Sequence, residues 1–284
     1  MLRPKNNKTK PRIKHRPFLK WAGGKFRLTD DLNRVFPKRK QCLIEPFVGA
    51  GDVFLNSHFE RYILADINPD LINLFNIVKD NVDAYIEACK PIFFAEKANT
   101  AAHYYAQRDA FNQSTDPFVR SVLFLYLNRF GFNGLCRYNS KNEFNVPFGA
   151  YKTHYFPEDE LRYFAHKAQS AVFLCADFQQ TFELADKHSV IYCDPPYAPL
   201  AQDTNFTGYA GNAFGLEHQK NLAECAKKAQ KEKQISVVIS NHDTKFTREI
   251  YKGAKFKRVK VQRSISQSSE KRVKVKELIA IFKG

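Results

Sequence analysis

Closely spaced cysteines are missing from this chain. Its six cysteines, Cys42, Cys89, Cys136, Cys175, Cys193 and Cys225, are scattered. That spacing argues against a zinc site and against a disulfide framework, and no metal is expected. Free cysteine beside apolar neighbours behaves as a small hydrophobe, so a reducing compartment, most simply the cytoplasm, is expected. Long apolar runs are also missing. None approaches the roughly 20 residues that cross a bilayer. The charged N-terminus has no apolar stretch behind it, so it does not read as a signal peptide. Acid is scarce at both ends. Arg3, Lys5, Lys8, Lys10, Arg12, Lys14 and Arg16 precede Trp21 with no Asp or Glu among them. Between Lys252 and Lys276, ten basic residues face one acid, Glu270.

What is present is charge on a chain that can fold. The 284 residues carry a formal charge of +16 with 44% apolar content, enough for a real core. A surplus of that size points to a polyanion partner. Residues 1–17 read as a basic mobile tail. The strand-like part of the C-terminal basic segment, Phe256–Val261, is expected to lay its charges along one face.

Seven short apolar runs with βα rhythm are strand candidates: Cys42–Phe47, Tyr62–Asp66, Ala171–Ala176, Val190–Asp194, Ile235–Ser240, Phe256–Val261 and Glu277–Phe282. Continuous apolar runs suit parallel strands covered on both faces. Residues 69–157 lack such runs. Asn68-Pro69-Asp70 caps a helix reading on to about Cys89, a second helix spans about Thr100–Asn112, and a third starts at Asp116-Pro117. A Gly/Asn-rich loop over 129–139 leads into a hairpin-like segment, with Ser140-Lys141-Asn142 as its turn and Glu143–Phe148 as its return. The pattern is an α/β chain, a doubly wound and mostly parallel sheet with an insertion of helices and a ribbon.

Four constellations carry chemistry. Glu45-Pro-Phe47-Val-Gly49-Ala-Gly51 is a strand, a tight turn and a helix start. It lacks the third glycine of the dinucleotide fingerprint and any basic residue for a diphosphate, so a ligand without phosphates fits better. Asp66 closes the next strand, where an acid can bind ribose hydroxyls, although it could instead cap the following helix. Trp21 and Lys25 flank Gly23-Gly24, and a lysine beside bare backbone suits a carboxylate. Ribose, carboxylate and no phosphate together describe S-adenosylmethionine. Finally, Asp194-Pro195-Pro196-Tyr197 ends an apolar strand abruptly, because two prolines cannot continue a ladder. Asp194 and the Pro195 carbonyl can accept both hydrogens of an aromatic amine while Tyr197 stacks on its ring. Such a base cannot be reached inside a duplex.

With these motifs, Leu64-Ala-Asp-Ile-Asn68, Leu127–Asn139 and Asn145-Val-Pro-Phe-Gly149, the chain resembles the DNA adenine-N6 methyltransferases of the α group, the Dam type. The resemblance runs from Phe18 to the C-terminus. It implies a seven-stranded Rossmann-like catalytic domain over 18–68 and 158–284, with a target-recognition domain over 69–157. It implies cofactor contacts from Trp21, Lys25, Phe47, Gly49, Gly51, Asp66, Asp177, Phe178 and Asp194. It implies double-stranded DNA read at GATC: Lys20 on the outer guanine, Phe132 and Asn133 entering the stack, and Leu135, Arg137, Pro147 and Tyr151 on the third and fourth base pairs, with Asn139 in the same loop. A monomer is expected. Phenylalanine stands at 132 where tyrosine is frequent, and Ala150 where some relatives carry a basic residue. Two other readings are methylation of cytosine N4 or RNA adenine, and a DNA-binding regulator without catalysis. Aspartate rather than serine before Pro-Pro-Tyr favours adenine.

Overall fold

The computed structural model describes residues 13–198, 214–262 and 274–284. The expectations for Arg3 to Arg12, for the motif end Pro199-Leu200, and for Arg263, Glu270, Lys271 and Arg272 lie outside these residues. One open sheet holds β1 (Cys42–Glu45), β2 (Arg61–Asp66), β3 (Ala171–Cys175), β4 (Ser189–Cys193), β5 (Ser236–His242), β6 (Lys255–Gln262) and β7 (Lys274–Phe282). The order is β3-β2-β1-β4-β5-β7-β6. Strands β1 to β5 are parallel, and β7 runs antiparallel between β5 and β6. The seven strands coincide with the seven apolar runs. Strands β1, β4 and β5 are buried along their whole length, which is why they show no alternation. Strand β1 stops at Glu45, short of the expected Phe47, because Pro46 has no N–H for the ladder.

From β1 the chain builds outward to β2 and β3 on one side, then returns to β4 and β5 on the other. The gap between the carboxyl ends of β1 and β4 is therefore the switch point where an open α/β sheet binds ligands. Helices α1 (Thr29–Val35) and α2 (Asp52–Asn56) lie near it in sequence. The insertion carries α3 (Pro69–Asp80), α4 (Val82–Phe93), α5 (Ala101–Gln113) and α6 (Pro117–Phe130), and α7 (Glu158–Ala168) leads into β3. The helices α8 (Phe178–Glu183), α9 (Leu216–Lys233) and α10 (Lys245–Ile250) follow. One sheet face packs Leu43, Leu64 and Tyr192 into the same core as Phe75, Tyr85, Phe93, Tyr126 and Phe144 of the insertion. The other packs Ile44, Ile191 and Val237 against Phe178, Leu222 and Tyr251.

Four expectations need correction. The helix expected from Pro69 to about Cys89 is two, broken at Asn81 (φ −153°, ψ 79°), whose side chain accepts the Ala84 N–H and starts α4. The ribbon is only two isolated bridges, Gly131 to Phe148 and Tyr138 to Phe144, because Asn139 and its neighbours spend their hydrogen bonds on the turn. The charges of β6 do not share a face: Lys257 pairs with Asp31 and Arg258 with Asp243, as alternation along a strand requires. Residues 14–16, assigned to a mobile tail, are docked. Lys14 pairs with Asp30 at 2.7 Å, His15 stacks on Tyr163, and Arg16 lies over Phe26.

A forked pair holds the insertion together. Arg120 Nε and one terminal nitrogen each sit 2.9 Å from an oxygen of the buried Asp70, and Tyr138 donates to that carboxylate at 2.6 Å. This ties α3, α6 and the loop after α6 together. Replacing Arg120 with methionine leaves Asp70 without its cation and should cost roughly 2–4 kcal/mol. Urea unfolding measures it, and a loss below about 0.5 kcal/mol would contradict the role.

Candidate active site

Strand β4 ends at Cys193, and Asp194 emerges at the switch point with 19% of its side chain exposed. Lys25 Nζ sits 2.8 Å from Asp194 Oδ2, donates to the Gly23 carbonyl, and lies 4.7 Å from the centre of the Tyr197 ring. Asp194 Oδ1 is shut off from water and has no partner among the described residues. Burial raises the Asp194 carboxyl to about 6, against the lowering influence of Lys25. The loop that carries Lys25 is fixed from below, where its N–H meets Asp52 Oδ2 at 2.6 Å. The Tyr197 hydroxyl, pushed up by burial and so held as a donor, reaches Glu277 Oε2 at 3.0 Å.

The ends of β1 and β2 form the neighbouring wall. Gly49 (φ 50°) and Gly51 (φ 81°) take left-handed conformations that favour glycine. A Cβ on Gly49 would stand 2.9 Å from Trp21 Nε1, so the indole lies directly on the bare turn. Asp66 is not the cap of α3; Asn68 is. Instead, Asp66 accepts Gly49 N–H at 3.2 Å on one oxygen and Asn68 N–H at 3.0 Å on the other. Burial raises its carboxyl. Phe47 stacks on Phe178 at 5.7 Å, and Phe214 stands edge-on to both. Asp177 caps α8 through the Gln179 N–H.

The expected reading residues gather on one loop and on Lys20. Asn128 of α6 clasps the Lys20 backbone through both its N–H and its carbonyl, at 2.8 and 2.7 Å. Gly134 (φ 60°) lets the loop approach so closely that an added Cβ would meet Lys20 Cβ at 2.2 Å. The Lys20 ammonium rests on the Arg129 carbonyl at 2.8 Å and over the Tyr151 ring at 3.9 Å. Burial, helped by Arg129, lowers it to about 8. Asn133, at φ 55°, gives its N–H to the Tyr151 hydroxyl at 2.7 Å, beside the exposed Phe132. The Phe132 N–H meets the Pro147 carbonyl at 2.9 Å, and Leu135 packs partly on the core. Arg137 and Asn139 lie farther along. Arg137 is forked onto Asn145, and the Asn139 side chain binds Lys141, Glu143 and the turn between them.

Sequence reading missed Asp52, Asn128, Gln219, Asn241, His242 and Glu277, all buried polar side chains in or beside these sites. Polar Asn241-His242 closing an apolar strand, and one acid at 277 after a basic run, were the available signals. No His/Cys/Asp/Glu cluster suited to a metal occurs among the described residues, and no described helix is long and apolar enough to cross a membrane.

Comparison with known proteins places this geometry. Residues 21–265 match the family described as D12 class N6 adenine-specific DNA methyltransferase. The chain is 82% identical over 282 residues to the DNA adenine methylase of Haemophilus influenzae, covering 99% of each chain. It is 58% identical to that of Escherichia coli K12 over 270 residues, and 57% to that of Vibrio cholerae over 269, each covering 95% of this chain and 96% of the relative. The chain belongs to the D12 class of adenine-specific DNA methyltransferases.

Proposed function

We propose that this enzyme transfers a methyl group from S-adenosylmethionine to N6 of an adenine flipped out of duplex DNA within GATC, acting in the cytoplasm as a monomer. The observation that carries the reading is Asp194 Oδ1, buried and unpartnered among the described residues, at a strand end beside Tyr197. A buried acceptor left unpaired is costly, and an amine hydrogen would relieve it. Lys25 on Oδ2 stops the carboxylate from turning away. With the Pro195 carbonyl taking the second hydrogen, the nitrogen lone pair points out of the ring. Fixed acceptors then stabilise the charge that develops there. Tyr197 offers a stacking face, a contact worth about 1–3 kcal/mol.

The residues at the ends of β1, β2 and β3 fit the cofactor. The Asp66 carboxylate takes the backbone N–H groups of Gly49, Ile67 and Asn68 and, with about four lone-pair sites, keeps room for a ribose hydroxyl. The Gly49 turn under Trp21 leaves no room for a side chain. Phe47 and Phe178 present aromatic surface suited to a purine. When bound, the cofactor supplies a methyl group activated by its sulfonium. On the DNA side, Lys20, Phe132, Asn133, Leu135, Arg137, Pro147 and Tyr151 are proposed to read the site, with Asn139 shaping the loop. Lysine and arginine suit guanine edges, and apolar groups the thymine methyl.

Incubation with S-adenosylmethionine should make GATC-containing DNA resistant to a nuclease blocked by GATC methylation; full cleavage afterwards would sink the site assignment. Asp194→Ala should abolish turnover while cofactor binding, followed by quenching of Trp21, is only weakened. Persistent activity would contradict the role of the carboxylate. The reaction needs Asp194 ionised. Its folded value of about 6 lies above that of an ordinary aspartate, so activity should be full near neutrality and fall as pH drops through about 6. One unit lower, about a tenth of the sites remain ionised. Single-turnover rates that stay flat to about pH 5 would show that this group does not titrate in the step.

A further inference from the structure

The segment that follows Asp194 cannot hold itself. Pro195 and Pro196 have no N–H, so the turn has no backbone donor at two successive positions. Side chains from three other elements hold it instead. Gln219 of α9 donates to the Pro196 carbonyl at 2.6 Å. Asn241, on β5, accepts the Ala198 N–H at 3.1 Å and gives its own amide hydrogens to Gln219 Oε1 at 2.9 Å and the Tyr251 hydroxyl at 3.1 Å. His242 Nδ1 lies 2.7 Å from the Ala198 carbonyl, and a carbonyl only accepts, so that nitrogen carries the proton. Glu277 of β7 accepts from Tyr197, and the His242 and Tyr197 rings meet edge to face at 4.8 Å. His242 and Glu277 are cross-strand partners, so the tyrosine is gripped from two adjacent strands. All four gripping side chains are buried.

We propose that Glu277 is the positioning residue for Tyr197, fixing the ring in the one orientation that stacks on the flipped adenine, with Gln219, Asn241 and His242 completing the bracket. The proposal rests on the flipped-base reading above. A phenol ring turns about two side-chain bonds. A hydroxyl anchored to a buried carboxylate, with an imidazole against the ring, leaves it little freedom. The stacking surface is then preset before DNA arrives, and no ordering cost falls on the reaction.

Glu277→Leu removes the acceptor, Glu277→Gln keeps a carbonyl oxygen, and Tyr197→Phe removes the donor while keeping the ring. Single-turnover methyl transfer should fall about ten- to hundredfold in Glu277→Leu, the loss expected when a hydrogen bond to a charged group goes. DNA affinity should stay within about twofold, because the contact acts after encounter. Glu277→Gln should lose only about three- to tenfold, since a neutral bond is roughly half as strong. In the Tyr197→Phe background Glu277→Leu should cost less than about twofold more, because no hydroxyl is left to hold. With 2-aminopurine as the target base, Glu277→Leu should emit more brightly than the parent, the base no longer being quenched by a stacked ring. An unchanged rate in Glu277→Leu, or equal losses in both backgrounds, overturns the proposal. Should Glu277→Leu fail to fold, the near-isosteric Tyr197→Phe decides, and a parental rate there overturns it too. If the parent enzyme gives no 2-aminopurine enhancement, the flipped-base reading falls, and the role given to the ring falls with it. Enhancement in the parent with identical behaviour in Glu277→Leu removes the positioning role alone.

Discussion

An ammonium 2.8 Å from a carboxylate joins the loop before α1 to the end of β4. Burial drives Asp194 toward its neutral form, and the Lys25 charge is the largest influence opposing it. The same loop has its backbone tied to Asp52 at the head of α2, just past the glycine turn. The proposed acceptor for the amine, the turn proposed for the cofactor and the aromatic face of Tyr197 are therefore linked through one lysine. A partly buried pair of this kind contributes less to net stability than to fixing a single arrangement. Beneath it lies Glu45, also buried, whose carboxyl is pushed well above its usual range by burial, then by the charges of Asp194 and Asp52.

The insertion is not a separate body attached by a linker. Helix α3 follows β2 directly, and its Phe75 packs in the same core as Leu64 of the sheet and Phe144 of the segment after α6. Asp70, at the start of that helix, takes Arg120 and Tyr138 from farther along the insertion. Lys20 is gripped by Asn128 from α6 and lies five residues before Lys25 in the chain. The residues proposed to read DNA and those proposed to react thus share both a core and a short stretch of backbone.

The sheet was legible because its central strands are covered on both faces and so read as unbroken apolar runs. The end of β4 at Cys193 was legible because the two prolines that follow Asp194 cannot continue a ladder. Asn81 was not: its neighbours keep helical periodicity across it, and only its backbone angles show the break. The ribbon was over-read because the Ser140-Lys141-Asn142 turn signal does not show how far strand pairing continues beyond the turn that Asn139 and Glu143 close. Lys25 was read as a carboxylate binder from its neighbours in sequence, whereas in the structure its own carboxylate partner comes from β4. Gln219, Asn241, His242 and Glu277 act on residues far away in the chain, and only the strand order brings them to Tyr197.

Strand β7 has a consequence for how the protein is made. It follows β6 in sequence but lies between β5 and β6 in space, and among the described residues it is the only strand to which β6 pairs. As the chain leaves the ribosome, β6 has nothing to pair with until residues 274–282 have emerged. The same strand brings Glu277 to Tyr197. A nascent chain stopped before β7 would hold every sequence motif of a methyltransferase and still lack the partner of its tyrosine. Assembly of this end of the sheet thereby waits for residues 274–282 to emerge.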